Sequence, residues 1–349
     1  MKPEKLAVVL FNLGGPDGPD DVQPFLKNLF SDPAIIRAPT PIRWFISRLI
    51  SKTRAASARE NYGLMGGGSP LLPETRKQAA ALEAELAKRG HTAKSFIAMR
   101  YWKPYAADVV REVKAWGADQ VVLLPLYPQF SSTTTASSLK SWAEAKGPAG
   151  VTVCCYPDGD KFIAAHARAL IGAWEAAGKP GNIRCLLSAH GLPETVVKEG
   201  DPYQWQVELT ASKIKPLLPP EWEVEVCYQS RVGPLKWIGP ATDESIRKAA
   251  TDGKNILLSP VAFVSEHIET LVELDIEYRH LADELGVKTY LRAPALSVDP
   301  GFIETLADLV EDAVGDDGPD KVRSSCGGRL CPADRKDCPN RRTLATKAA

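Results

Sequence analysis

The sequence predicts an α/β protein of two similar halves, each a central parallel sheet flanked by helices, and three observations carry that expectation. Short β-rich apolar runs alternate with longer stretches whose apolar residues recur three and four positions apart. The strand candidates are apolar along their length, as strands covered on both faces are. The alternation breaks at KGPAG, residues 146–150, and then restarts.

In chain order, strands are expected at residues 6–13, 93–101 and 120–128, with helices at 74–90 and 104–119 between them. After the break come strands at 152–157, 184–191, 223–230 and 255–264, helices near 160–178, 202–218 and 241–250, a short strand at 287–293 and a closing helix at 301–315. The expected division is a first half over 1–147, a second over 148–315 and a cysteine-bearing extension over 316–349. A chain of 349 residues suits two domains at about 150 residues each.

Composition excludes several classes. The 43 basic and 43 acidic residues cancel, so no global field recruits nucleic acid. No run of 18 apolar residues is present to span a bilayer, and the N-terminal MKPEKLAVVLFNLGGP lacks the apolar core and cleavage site of a secretory signal. A cytoplasmic location is expected, with contact at a membrane surface left open. Seven cysteines, odd in number and unevenly spaced, do not read as a disulfide framework. Cys154, Cys155, Cys185 and Cys227 lie in apolar surroundings and are expected to be buried.

Several strands end in residues unlike their interiors: 12–16, 100–101, 127–135, 188–193 and 259–269. Open parallel sheets bind ligands beyond the carboxyl ends of their strands, so these endings are expected to meet at one cleft between the halves. FNLGGP carries Gly14 and Gly15 but neither the dinucleotide fingerprint nor a Walker pattern. Gly66, Gly67 and Gly68 make a second loop, read either as close passage of a ligand or backbone, or as a flexible surface turn. The segment over 26–54 sets Trp44, Phe45, Ile46, Leu49 and Ile50 among Arg43, Arg48, Lys52 and Arg54. It reads as a helix packed on its own half, or as an apolar lip for a flat ligand or a bilayer.

His190 follows an apolar strand directly, where an imidazole can take a proton or bind a metal near neutral pH. Glu269, Glu273 and Glu277 fall on one face of a regular helix, costly unless solvated, protonated or metal-bound, and Glu266 and His267 open that helix. Such carboxylates and imidazoles hold a divalent metal transiently, whereas a thiolate cage retains it. Of the five histidines, His91 and His166 read as structural or exposed, and His280 lies beyond the stripe. No GxSxG elbow or HExxH helix is present. In the tail, Cys326, Cys331 and Cys338 are spaced Cys-x4-Cys-x6-Cys, which suits an iron–sulfur cluster or zinc completed by a distant ligand. Cys154 or Cys155 is the candidate, and strand alternation is expected to turn only one of them toward it.

Together NLGGP, GGGSP, RYWKP, LYPQFSSTT, LSAHGLPE, QSRVGPLKWIGP and SEHIETLVELDIEY, in that order from about residue 6 to the closing helix, resemble the ferrochelatase family. The resemblance implies the chelatase fold of two Rossmann-like halves around a porphyrin cleft, and an enzyme that inserts ferrous iron into protoporphyrin IX with release of two pyrrole protons. It places His190 and Glu269 at the catalytic centre, with Glu266, His267, Glu273 and Glu277 as its acidic and imidazole neighbours toward the metal, on a helix that is locally widened. Leu13, Tyr62, Arg100, Tyr101 and Trp237 match substrate-pocket positions, Arg100 as a partner for a propionate. The Trp44 region matches a lip that touches substrate and, in some members, membrane. The cysteine tail resembles that of cluster-bearing members, which implies a 2Fe–2S cofactor held by Cys326, Cys331, Cys338 and either Cys154 or Cys155, since serine stands within 129–134 where animal members have a thiol. A chelatase for another tetrapyrrole or metal, such as coproporphyrin or cobalt, and a non-catalytic tetrapyrrole carrier remain alternatives. Monomer and homodimer are both compatible with the sequence.

Overall fold

The computed structural model describes residues 4–231, 233–315 and 321–342. The first sheet begins with β1 (Leu6–Asn12), followed by α1 (Val22–Ser31), α2 (Thr40–Gly63) and α3 (Leu71–Lys88). Then come β2 (Ala93–Met99), α4 (Ala106–Trp116), β3 (Gln120–Pro125), α5 (Thr135–Glu144), β4 (Val151–Cys155) and α6 (Asp160–Ala176). The second sheet is built from β5 (Ile183–His190), α7 (Glu194–Lys198), α8 (Tyr203–Ile214), β6 (Glu223–Gln229), α9 (Thr242–Thr251) and β7 (Asn255–Pro260). A π-helix (Glu269–Glu277) runs into α10 (Tyr278–Glu284), then β8 (Tyr290–Arg292), α11 (Pro300–Val314) and β9 (Val322–Ser324).

All strand pairs are parallel, in the orders β2-β1-β3-β4-β9 and β6-β5-β7-β8. Every residue of β1 is buried, as expected for a strand covered on both faces. A leucine such as Leu10, with no exposed surface, contributes about 1.5–3 kcal/mol by leaving water. In each sheet the strand order reverses about one strand, β1 in the first and β5 in the second, so the two crevices open at Asn12 and His190.

The sheets do not follow the break at 146–150. β4 pairs with β3 through Val122↔Val151 and Leu123↔Thr152, and so belongs to the first sheet instead of opening the second. α11 packs against α3, α6, β3 and β4, and β9 adds an edge strand beside β4, so the chain returns to its first sheet after completing the second. Within the expected 316–349 extension, residues 316–320 and 343–349 lie outside the described residues.

The two glycine loops pack on each other. Ser69 N donates to Pro16 O at 2.8 Å, and a Cβ on Gly15 would stand 2.4 Å from the Ser69 side chain. Gly14 also has a positive φ of 86°. Their small size serves backbone approach. α2 buries Ser47, Ser51, Ala55 and Tyr62 while exposing Ile42, Trp44, Phe45 and Leu49, the reverse of an ordinary amphipathic helix. Among the described residues no helix is long and apolar enough to cross a membrane.

Candidate active site and cysteine neighbourhood

The parallel strand β5 delivers His190, its last residue, to the mouth of the second crevice, half-buried. Its Nδ1 lies 2.6 Å from Gly191 O and therefore carries the proton, leaving Nε2 with its lone pair 3.8 Å from Glu269 Oε1. His267 is held the same way: Nδ1 donates to Ser265 O at 3.0 Å, and Nε2 lies 3.4 Å from the other Glu269 oxygen. One carboxylate thus faces two imidazole nitrogens that carry no proton when the rings are neutral. A proton or a cation is what would reconcile them.

Burial works to raise the Glu269 pKa, but once the rings take up a proton at Nε2 the His190 charge and the His267 hydrogen bond outweigh it and hold the carboxyl at about 2. Burial, and then the Glu269 charge, hold the Tyr62 hydroxyl above its ordinary range, which places Tyr62 of the first half within the electrostatic reach of the second. Trp237 stands beside His190 with ring centroids 6.4 Å apart, and its buried Nε1 has no partner among the described residues. A Cβ on Gly191 would stand 3.2 Å from the indole, so this glycine lets the ring settle on the backbone beside His190. Leu13 follows β1, half-buried, at the edge of the cluster containing Tyr62, Tyr101 and Trp102; Ile268 of the second half packs on the same cluster.

Other candidates are placed elsewhere. Arg100, matched to a propionate partner, donates to Asp32 Oδ2 at 2.7 Å and to Ser137 Oγ at 2.6 Å. Tyr101, 1% exposed, donates its hydroxyl to the same Asp32 oxygen at 2.9 Å. Arg100 borders a hollow of about 370 Å³ that Asn28, Asp32, Tyr105 and Ser141 also line. Glu266 turns to Arg292, whose Nη1 is 2.7 Å away, and accepts from Ala295 N at 2.9 Å. Glu273 accepts from Gln229 Nε2 at 2.9 Å, Ser230 N at 2.8 Å, the Ser230 hydroxyl and Tyr278 OH at 3.1 Å. Those four donors come from groups the sequence did not single out. Glu277 closes the π-helix in an exposed position, its pKa raised by burial of its carboxyl and then by Glu273. The wider π turn replaces the regular helix on which the one-face reading of the three glutamates rested.

β4, β9 and the tail bring cysteines together. Cys154 Sγ and Cys155 Sγ lie 3.6 Å apart, against the expectation that alternation would separate them, because the β4–β9 register shifts between Val153 and Cys155. Gln206 Nε2 of α8 donates to Cys155 Sγ at 3.4 Å and to Cys331 Sγ at 3.1 Å. The hydrogen bond with Cys331 leads the effects holding the Cys338 thiol down at about 6, with Arg329 and Arg341 assisting against burial, while that same bond and burial raise Cys331. The bond with Cys154, then burial, raises Cys155. Cys326 is exposed, its thiol 3.2 Å from Ser324 Oγ. Among the described residues no three His, Cys, Asp or Glu side chains are assembled as a metal-holding group. The thiols thus stand as neighbours, with the Gln206 side-chain N–H groups turned toward two of the sulfurs, rather than as a finished cage. Cys185 of β5 and Cys227 of β6 are buried, and burial drives both thiol pKa values upward.

Two parallel sheets flanked by helices, with Glu269 between His190 and His267 and Ile268 packed on the cluster of Tyr62 and Leu13, match the chelatase class of fold. A sirohydrochlorin chelatase from Bacillus subtilis subspecies spizizenii, solved with cobalt, superposes with a TM-score of 0.51 at 11% identity, covering 89% of this chain and 95% of that one. A multi-domain Deinococcus radiodurans protein described as structurally similar to chelatases also gives 0.51 at 11% identity, over 91% of this chain and 56% of that one. The ferrochelatase family model matches residues 5–314. Ferrochelatases of Hyphomonas neptunium and of Caulobacter vibrioides strain NA1000 are 59% and 60% identical, covering 96% and 97% of this chain and 94% and 98% of theirs. The chain belongs to the ferrochelatase family, the enzymes of haem biosynthesis that insert metal into a porphyrin.

Proposed function

We propose that this chain inserts ferrous iron into protoporphyrin IX, with His190 and Glu269 taking the pyrrole protons. Ferrous iron and the neutral macrocycle give haem and two protons, so the protein must supply acceptors beside the ring. The observation that carries the assignment is the Glu269 carboxylate facing the Nε2 atoms of His190 and His267, with each Nδ1 committed to a carbonyl. His190 Nε2 accepts a pyrrole proton, and the resulting imidazolium is stabilised by Glu269. Glu269, His267 and His190 are not preassembled as a metal cage, and drawn together around incoming iron they would offer a mixed oxygen and nitrogen set weak enough to release it. Glu273 and Glu277 continue the line outward for the protons, and the Arg292 pair makes Glu266 a support of the loop. Leu13, Tyr62 and Trp237 contact the macrocycle; Arg100 and Tyr101, tied to Asp32, shape the wall behind them.

The tail supports a 2Fe–2S cluster held by Cys155, Cys331 and Cys338 with Cys326 drawn in, and Cys154 as the neighbour of Cys155. When bound it would supply a one-electron centre, for which the insertion reaction has no need, and so a structural or sensory role. The exposed Ile42, Trp44, Phe45 and Leu49 of α2, beside Arg43, Arg48 and Lys52, support peripheral contact with a membrane surface in a cytoplasmic protein.

The test is an anaerobic visible-absorption time course of the purified protein with protoporphyrin and ferrous iron, beside His190→Ala. Conversion to the haem spectrum by the wild type and scarcely by the variant is expected. Tight porphyrin binding without conversion would instead favour a carrier or a chelatase for another substrate, and equal rates would remove His190 from the chemistry.

A further inference from the structure

The geometry points to Gln206 as the residue that positions the cluster thiolates and sets their reduction potential, and to Cys155 rather than Cys154 as the ligand from β4. This rests on the cluster reading above. Gln206 has no exposed surface and projects from α8, in the second half, toward thiols of the first sheet and the tail. Its Oε1 accepts from Phe130 N at 2.7 Å, which fixes the amide so that both N–H bonds must point the other way. They point at sulfur: Cys155 Sγ at 3.4 Å and Cys331 Sγ at 3.1 Å.

A neutral thiol is a weak acceptor, and a buried amide left poorly paired is destabilising. Two sulfurs bearing negative charge, as cluster ligands do, turn the same arrangement into two charge-assisted bonds. The amide thus suits cluster-bound sulfur at these cysteines better than free thiol. It also separates the adjacent β4 cysteines, since its bonds reach Cys155 and not Cys154. Donors to ligand sulfur stabilise the more negative, reduced cluster and so raise its potential.

Iron, acid-labile sulfide and visible absorption are first measured on anaerobically purified full-length protein. Iron and sulfide in stoichiometric amounts are expected; their absence after reconstitution would overturn the cluster reading and this inference with it. With a cluster present, an EPR-monitored redox titration compares wild type with Gln206→Met, which keeps the volume and removes both donors. A retained cluster with a more negative midpoint is expected, and an unchanged midpoint would overturn the role of Gln206 while leaving the cluster standing. Cys154→Ala is expected to keep the cluster and Cys155→Ser to lose or alter it; the reverse pattern would overturn the ligand choice. Should Gln206→Met fail to fold, wild type labelled with 15N in glutamine side chains decides. Pulsed EPR of its reduced cluster is expected to show coupling to a side-chain nitrogen, and no coupling would overturn the proposal.

Discussion

The ends of β2 and β5 look alike in sequence, an apolar run handing over to polar and aromatic residues, yet the structure finishes them in opposite ways. At β2, Arg100 and Tyr101 meet a buried carboxylate, Asp32, and every donor there that reaches it finds an acceptor. At β5, His190 meets Glu269 acceptor against acceptor, and His267 repeats the mismatch from the other side. A complementary ion pair is a completed interaction and serves as wall. An uncompleted one waits for a proton or a cation, and on the proposed function that is where the proton chemistry falls.

Breaking the β5 side is expected to have the largest effect. Glu269→Gln keeps the shape and removes the negative charge, and the rate of porphyrin metallation should fall by about 10²–10⁴ in an anaerobic assay, with little movement of the unfolding midpoint. Breaking the β2 side should do the opposite. Asp32→Ala leaves Arg100 half-buried without its charge partner, and urea unfolding should show a loss of about 3 kcal/mol. If Asp32→Ala instead left stability intact and abolished metallation, the two ends would have been assigned the wrong way round.

A third imidazole sharpens the contrast. His166 of α6 is buried edge-on against Phe162, with both ring nitrogens unpartnered among the described residues, and burial lowers its pKa from 6.5 to about 3. Between those values the unfolded chain binds a proton that the folded chain refuses. Stability is therefore full above pH 6.5 and is lost as the pH falls toward 3. About 2 kcal/mol should go between pH 6.5 and 5, measured by urea titration at each pH, and His166→Leu should flatten that slope without changing metallation at neutral pH. The smallest effect is expected at the exposed Arg37–Glu199 pair between the lip and α7, where Arg37→Ala should cost no more than about 1 kcal/mol and less in high salt.

Much of this was legible in the residues. β1, β5 and β7 are apolar at most positions and buried along nearly their whole length, and their starts were placed within a residue because burial on both faces leaves no room for alternation. His190 and the Glu269 helix stood out because chemistry-bearing side chains directly followed such strands. What sequence could not supply was pairing over distance. KGPAG looked like a boundary because it breaks periodicity locally, yet β4 after it joins β3. β9 is three residues long, too short to leave a periodic signal. Asp32 lies 68 residues from Arg100, so only the fold reveals that the two are paired. α5, at TASSLKSWAE, carries too many small polar residues to announce a buried face, though it supplies Ser137 to that same network.

The return of α11 and β9 to the first sheet has a consequence for synthesis. The first lobe is assembled from both ends of the described chain, with the second lobe made between them. On the ribosome, β4 emerges as an open edge and must wait for some 170 residues before its partner strand appears. An uncapped parallel edge is prone to mispairing while it waits. The second lobe, contiguous from β5 to β8, can fold within that interval, so the half that carries His190 and Glu269 is expected to be complete before the half that faces it.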